Sequence, residues 1–398
     1  MSQSASERSP LLRARSEDEL YHGDEQELCF AKEDSEDPKQ WPYRKKMTNV
    51  AVIALMASFF GSVGIANGGG TISDMFEPSE RAGVFGWYLL GPLMGPTMGP
   101  LFGGLIVENL GWRWVFGILT IVCFCNTLLG FLFLRESYAP VILTRRCEKA
   151  TEESGGSVQY TFPDQDKRPL SVKLRHSMYR PLKILFTQPI VLTMATFQAI
   201  IFATMYTLYT NMEEIFSKKP YSLSITQVGL LYLGPGVGFL AAVWFLVPHI
   251  DRIFNNMTEK NGGEQKPEFR LPLANIGSVL LPISLFWFAW TVENHAPWPA
   301  CIAATFFFGF GQVAVFNTVQ NYYIDAFSKY AASAIAAGAV FRALVGGVVP
   351  LFAPALFRKL GYGWGWSVFA FLTLAIAPSP LLFMRYGESL RERFAITL

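Results

Sequence analysis

The sequence predicts an all-α integral membrane protein, a helical bundle embedded in a bilayer, and three observations carry that prediction. Of 398 residues, 51% are hydrophobic and only 16% charged, against about 25% charged in average soluble domains. The charge is bunched: residues 1–46 hold 19 of the 64 charged side chains and residues 136–185 another 15. Between these lie apolar runs of about 20 residues, the length a helix needs to cross the hydrocarbon. A soluble enzyme, a disulfide-stapled secreted domain and a nucleic-acid binder are excluded, and a net charge of +2 attracts no polyanion. A transmembrane barrel would alternate over strands of about ten residues; these runs are longer and continuous.

Taken in order, residues 1–46 read as a disordered cytoplasmic tail without the apolar stretch of a cleavable signal. Its Glu7 and Leu11-Leu12 match an acidic dileucine sorting signal or a chance pattern. Nine spans follow, at 47–66, 83–106, 114–134, 187–211, 225–248, 271–292, 299–322, 331–356 and 364–384. They group into an incomplete N-terminal helical half (47–135), a basic cytoplasmic loop (136–186), a six-helix C-terminal half (187–385) and a short cytoplasmic tail (386–398).

Lys and Arg orient the last eight spans. With the C-terminus in the cytoplasm, the loops on that side carry 18 Lys/Arg and the opposite loops five. The sequon Asn256-Met257-Thr258 then faces the cytoplasm, where glycosylation is not expected. The first span conflicts with this count. A single crossing at 47–66 would put Arg44-Lys45-Lys46 outside, although such a cluster belongs inside.

The second span is the most informative. Gly91, Gly95, Gly99 and Gly103 recur every fourth residue, with Pro92, Pro96 and Pro100 beside them. That step keeps the glycines on one helix face, where a neighbouring helix can approach closely. Plain helix packing is the alternative reading for a lone pair, but this series is longer. Gly86, Gly95, Gly99-Pro100 and Gly103-Gly104 together resemble the antiporter motif in the fifth helix of major facilitator superfamily drug:proton antiporters.

The likeness extends from about residue 37 to the C-terminus. Asp37-Pro38 with Trp41-Pro42, Gly68-Gly69-Gly70 through Phe76, Glu80-Arg81-Ala82-Gly83, Gly111-Trp112-Arg113-Trp114, Lys266-Pro267-Glu268-Phe269-Arg270, Gln320-Asn321-Tyr322-Tyr323-Ile324-Asp325 and Leu360-Gly361-Tyr362-Gly363 all resemble segments of the fungal twelve-span family. The resemblance implies a major facilitator-type helical bundle with an incomplete N-terminal half, about nine segments instead of twelve. Residues 43–66 read as the start of helix one joined to the end of helix four, which accounts for the orientation conflict. The family signature between helices two and three is absent. Asp251-Arg252 reads either as a remnant of its second-half copy or as a solvated loop pair.

The function implied is efflux of hydrophobic small molecules, drugs or secondary metabolites, by proton antiport across the plasma or vacuolar membrane. No cofactor or metal is expected: Cys29, Cys123, Cys125, Cys147 and Cys301 show no ligand spacing, and no catalytic cluster is present. The alternatives are an inactive or regulatory fragment of such a pump, and a membrane scaffold that does not transport.

Arg342 is the one charge deep in a span. It reads as a substrate or coupling contact, or as a structural pair with Asp325, backbone carbonyls or a helix end. No membrane-buried carboxylate stands out as a proton carrier. Gln198, Tyr206 and Tyr209 on the fourth span, with Asn317, Gln320 and Asn321 on the seventh, are the cavity-lining candidates. They could hold a large, mostly apolar ligand through a few hydrogen bonds. Interfacial tyrosines and interhelical amide bonds remain the competing readings.

Overall fold

The structure, a computed structural model, describes residues 25–27, 30, 37–50, 68, 70–72, 74–155, 159–162, 169–327 and 331–394. Most of the first expected span, the dileucine match and Cys29 lie outside the described residues. Besides helical backbone at 43–50 and between 68 and 75, twelve α-helices follow. They are α1 Pro78–Leu110, α2 Trp112–Phe133, α3 Ala139–Glu153, α4 Leu170–Thr187, α5 Pro189–Ser217, α6 Ile225–Leu231, α7 Leu233–Phe245, α8 Val247–Lys260, α9 Pro272–Glu293, α10 Trp298–Ala326, α11 Ala331–Ile376 and α12 Ser379–Arg393.

Local chemistry sets the boundaries. Gly111, at φ 88° and ψ 160°, turns the chain between α1 and α2. Few residues besides glycine tolerate that backbone. Ser224 and Gln227 form a reciprocal capping box at the start of α6. α6, α7 and α8 run on as one rod, with short interruptions at Tyr232 and Leu246. The rod continues beyond the expected span end at 248, as far as Lys260. Gly361, at φ 75° and ψ 175°, breaks α11 near the gap expected between the last two spans. The second part of α11 ends at Ile376, so the last expected span, 364–384, is interrupted before α12 begins at Ser379.

The stretch between α2 and α5 holds more structure than a loop. α3 packs Cys147 against Phe162 in a small separate cluster. Strand β1 (Glu25–Glu27) pairs in parallel with β2 (Gln159–Thr161) beside it.

α10 is the central post of the main core. It is buried on one side from Cys301 and on every side from Gly311 through Ile324, and it contacts α1, α5, α7, α9 and α11. Within a bilayer, lipid tails compete with apolar side chains, so close packing and hydrogen bonds must hold the helices together. Glycine supplies the closeness. A Cβ on Gly238 of α7 would lie 2.2 Å from the carbonyl oxygen of Phe306, and one on Gly309 of α10 would lie 2.4 Å from that of Pro235. α7 and α10 therefore touch backbone to backbone.

α1 lies antiparallel along the α6–α8 rod. Gly86 meets Val247, Thr97 meets Gly236, Pro100 and Leu101 meet Gly229, and Gly104 meets Ile225. Gly86 and Gly104 are 18 residues apart, about five turns at 3.6 residues per turn, so they share a face. The same arithmetic corrects the expected glycine face. Gly91, Gly95 and Gly99 fall on the opposite side of α1 and Gly103 on its flank, and a Cβ on Gly99 or Gly103 would meet nothing within 4 Å. The contact face mixes Gly86, Thr97, Pro100 and Gly104; most of the four-step glycine row points away from the rod.

Candidate functional site

Two polar constellations stand out. The first lies where α5, α10 and α11 meet. Steps of three and four residues put Gln312, Phe316, Gln320 and Tyr323 on one face of α10. Gln312 Nε2 reaches Met205 Sδ at 3.1 Å, and Tyr323 Oη donates to the Val191 carbonyl at 3.3 Å, so this face looks at α5. There Phe202 packs on Tyr206 at 4.8 Å and on Phe316 at 6.4 Å between ring centroids. Arg342 of α11 is 3% exposed, and its guanidinium sits 5.6 Å from the rings of both Phe202 and Phe316, within cation–π range. Gly338, one turn before Arg342, leaves room for Gln198 and Tyr323, whose side chains lie 3.5 and 3.4 Å from where its Cβ would be.

These groups are buried with spare hydrogen-bonding capacity. Both amide atoms of Gln198 and of Gln320, Oε1 of Gln312 and Nη1 of Arg342 have no hydrogen-bond partner among the described residues. Leaving such a group unpaired costs about 1–3 kcal/mol. A ligand carrying acceptors and a donor would satisfy them while its apolar body lay against Phe202, Tyr206 and Phe316.

The structure thus brings together Gln198, Tyr206, Gln320 and Arg342, and separates the other candidates. Asn317 turns toward α1, where a Cβ on Gly86 would lie 2.6 Å from its Nδ2. Asn321 Nδ2 donates to Asn317 Oδ1 at 2.6 Å, so this amide pair belongs to the α1–α10 contact. Tyr209 packs on Tyr232 with tilted rings 5.4 Å apart, and its carbonyl accepts from Tyr232 Oη at 2.6 Å. Tyr232 also lines a cavity of about 330 Å³ near the end of α1, with Pro100, Gly103, Gly104, Glu213 and Gly229 among its walls.

The second constellation is ionic and lies at the end that the charge count places in the cytoplasm. Arg270 is the hub. Its Nε donates to Asp325 at 2.7 Å, its Nη1 donates to Asp251 at 2.9 Å, and its side chain is fully buried beneath the ring of Phe254. Asp325 also accepts from Arg81 of α1 at 3.0 Å. Asp251 accepts from the backbone N–H of Gly83 at 2.7 Å. Four charges from α1, α8, α10 and the turn before α9 thus close one end of the seam between α1 and the rest of the bundle. Burial pushes the Asp251 carboxyl up, against the pull of Arg270 and of the Gly83 N–H.

Two readings are corrected here. Asp325 is occupied by Arg81 and Arg270, so Arg342 has no pair with it; stacked aromatic rings hold Arg342 instead. Asp251 is a half-buried partner of Arg270 and not one member of a solvated loop pair. The ionic cluster had escaped the sequence reading because each of its charges sits near a span end, where a charge is unremarkable. The available signal was that several such ends carry opposite charges at one bundle end: Arg81, Asp251, Arg270 and Asp325.

Among the described residues, Asp74, between the first two expected spans, is the carboxyl with the largest shift in pKa. Burial raises its pKa to about 7, with Arg81 pulling it down and Glu136 adding to the rise. The protonated form is therefore favoured by folding. Its contribution is full below the ordinary value of 3.8 and is lost as pH rises through about 7. Asp74→Asn is expected to flatten the fall in thermal stability between pH 4 and 8. Melting curves of the purified chain in detergent test this, and a parent protein with no fall in that window would refute it.

Comparison with known proteins agrees with this architecture. The Major Facilitator Superfamily pattern matches residues 46–350. An MFS-type transporter of Penicillium rubens, penM, is 37% identical over 357 residues, covering 89% of this chain and 70% of penM. An MFS-type efflux pump of Trichophyton rubrum is 38% identical over 351 residues, covering 87% of this chain and 58% of the pump. Among solved structures, the xylose transporter XylE from E. coli superposes with a TM-score of 0.50 at 14% identity, over 85% of this chain and 80% of XylE; that likeness concerns the fold alone. With helices long and apolar enough to cross a membrane and a family pattern over most of its length, the chain belongs to the Major Facilitator Superfamily.

Proposed function

We propose that the chain is a membrane efflux transporter that exports hydrophobic small molecules carrying a few hydrogen-bonding groups. The observation that carries this reading is the buried meeting point of α5, α10 and α11. Unpaired amides of Gln198 and Gln320 and the Arg342 guanidinium face aromatic surface from Phe202, Tyr206 and Phe316. Drug-sized ligands are held by mostly apolar walls with a few placed polar groups. A charge in the membrane interior is kept where it faces a pathway or cavity.

The access cycle is the alternation of two helical groups around a midplane site. The Arg270 hub closes one end, and the α1–rod seam guides the movement. Proton antiport is the expected coupling, in line with the antiporter-like glycine row, and the plasma membrane the expected location. A carboxyl that titrates near pH 7 beside Arg81 gives Asp74 a route to bias the hub: ionised, it competes with Asp325 for the Arg81 guanidinium.

The test is accumulation of a fluorescent hydrophobic dye in a yeast strain stripped of its own efflux pumps. Expression of the chain should lower steady-state dye, and a protonophore should abolish the effect. Arg342→Ala should reduce export tenfold or more at unchanged protein level in the membrane, with Arg342→Lys intermediate. Correctly inserted protein with no effect on dye would overturn the efflux reading in favour of a form that does not transport. Export that persists with the protonophore would remove proton coupling alone.

A further inference from the structure

α4 presents an apolar stripe that no described residue covers. Met178, Tyr179, Leu182 and Phe186 are 78%, 63%, 47% and 69% exposed. Their spacing of three to four residues puts them on one helix face, with exposed Arg175 one turn ahead. The rest of the helix is fixed by packing: Ile184, opposite the stripe, and Leu185, on its flank, are buried in the main core, and α4 lies against α11 and α5. The helix contains Lys173, Arg175, Arg180 and Lys183 and no acidic residue.

Its position gives the stripe a neighbour. Gln188, at φ −106° and ψ 103°, ends α4 immediately before α5 begins at Pro189. α5 is among the helices fit to cross the membrane, so α4 sits where the chain enters the bilayer, on the side the charge count makes cytoplasmic. The Gln188 side chain donates to the Phe394 carbonyl, which brings the end of α12 beside it. α12 adds exposed Leu381, Leu382 and Tyr386.

We propose that α4 lies in the plane of the membrane surface, with Met178, Tyr179, Leu182 and Phe186 sunk to the headgroup–acyl boundary and exposed Arg175 on anionic phospholipid headgroups of the cytoplasmic leaflet. In-plane helices combine basic residues with an apolar face that includes aromatic residues; α4 has that apolar face and four basic residues with no acidic one. Each Lys or Arg near an anionic leaflet is worth about 1 kcal/mol, roughly fivefold in binding. α4 braces α11, the helix that carries Arg342, so the charge of the leaflet bears on the polar meeting point. The inference rests on the membrane setting and is independent of which substrate is carried.

Hydrogen–deuterium exchange of the full chain in nanodiscs tests it. The discs are made of phosphatidylcholine alone or of phosphatidylcholine with phosphatidylserine at seven to three. Amides of residues 170–187 should exchange about fivefold more slowly in the anionic discs, and 1 M salt should remove the difference by screening. Arg175→Glu should shrink the lipid effect, and Tyr179→Ser combined with Phe186→Ser should remove protection in both discs, while α10 peptides stay unchanged as a folding control. Equal exchange in the two kinds of disc, or a difference that salt leaves intact, would overturn the proposal. So would full protection in detergent without phospholipid, which would mean that another part of the chain covers the stripe.

Discussion

Arg270→Ala is expected to be the most damaging single side-chain truncation in the chain. It strips the central cation from between Asp251 and Asp325 and leaves both carboxyls desolvated, with Arg81 and the backbone N–H groups of Ala82 and Gly83 as partners. Removing one member of a buried ion pair costs about 3–5 kcal/mol, mostly for the charge left behind. The Asp251 carboxyl, already raised by burial, should rise further once Arg270 no longer pulls it down. The loss should therefore be largest at high pH and partly relieved as pH falls. Asp251→Asn in the Arg270→Ala background should recover part of the stability by removing one orphaned charge. The check is the melting temperature of purified protein across pH, with the double variant beside each single one. An Arg270→Ala protein that melts like the parent would show that the hub contributes nothing to stability.

Gly238→Ala is expected to have the second large effect, and for a reason that has nothing to do with charge. The added methyl would fall 2.2 Å from the Phe306 carbonyl oxygen and 3.0 Å from the Phe310 nitrogen. Both are backbone atoms, so no rotamer change can make room, and α7 must move off α10. Overpacking of this kind costs about 1–3 kcal/mol and occasionally more. Gly309→Ala forces the same two helices apart against Pro235. Once one substitution has separated them, the other finds space, so the double variant should cost clearly less than the sum of the singles. Gly99→Ala and Gly103→Ala, with nothing within 4 Å of the new methyl, should leave stability nearly unchanged. Equal losses at all four glycines would contradict the packing described here.

The fold class and the helix positions were legible because the bilayer imposes a coarse, one-dimensional constraint: about 20 apolar residues between charges. α5, α9 and α10 begin and end within a few residues of that expectation, apart from polar extensions. What the pattern could not reveal is rotation about each helix axis. Nearly every face of α1 is apolar or small, so the sequence offered no amphipathic stripe to show which side meets the bundle. The four-step glycine row reads as that side, whereas an 18-residue spacing governs the contact. The same blindness placed Asn317 with Gln198 and Arg342: all are polar residues on apolar helices, and only the rotation of α10 separates its α1-facing amides from its α5-facing ones. The Arg270 hub needed long-range pairing between Arg81 and Asp325, 244 positions apart, which no local spacing encodes.

The antiparallel seam between α1 and the α6–α8 rod has a mechanical consequence. Its contacts at 86/247, 97/236, 100–101/229 and 104/225 are all close, and Thr97 against Gly236 lies nearest their middle. At 1.5 Å per residue the Gly86 end lies about 16 Å from that point and the Gly104 end about 10 Å. Two stiff rods pressed together in this way behave as a seesaw with unequal arms. A tilt about Thr97–Gly236 that separates the Arg270 end by 3 Å brings the Gly104 end together by only about 2 Å. The fulcrum is a threonine hydroxyl and methyl resting on a bare backbone.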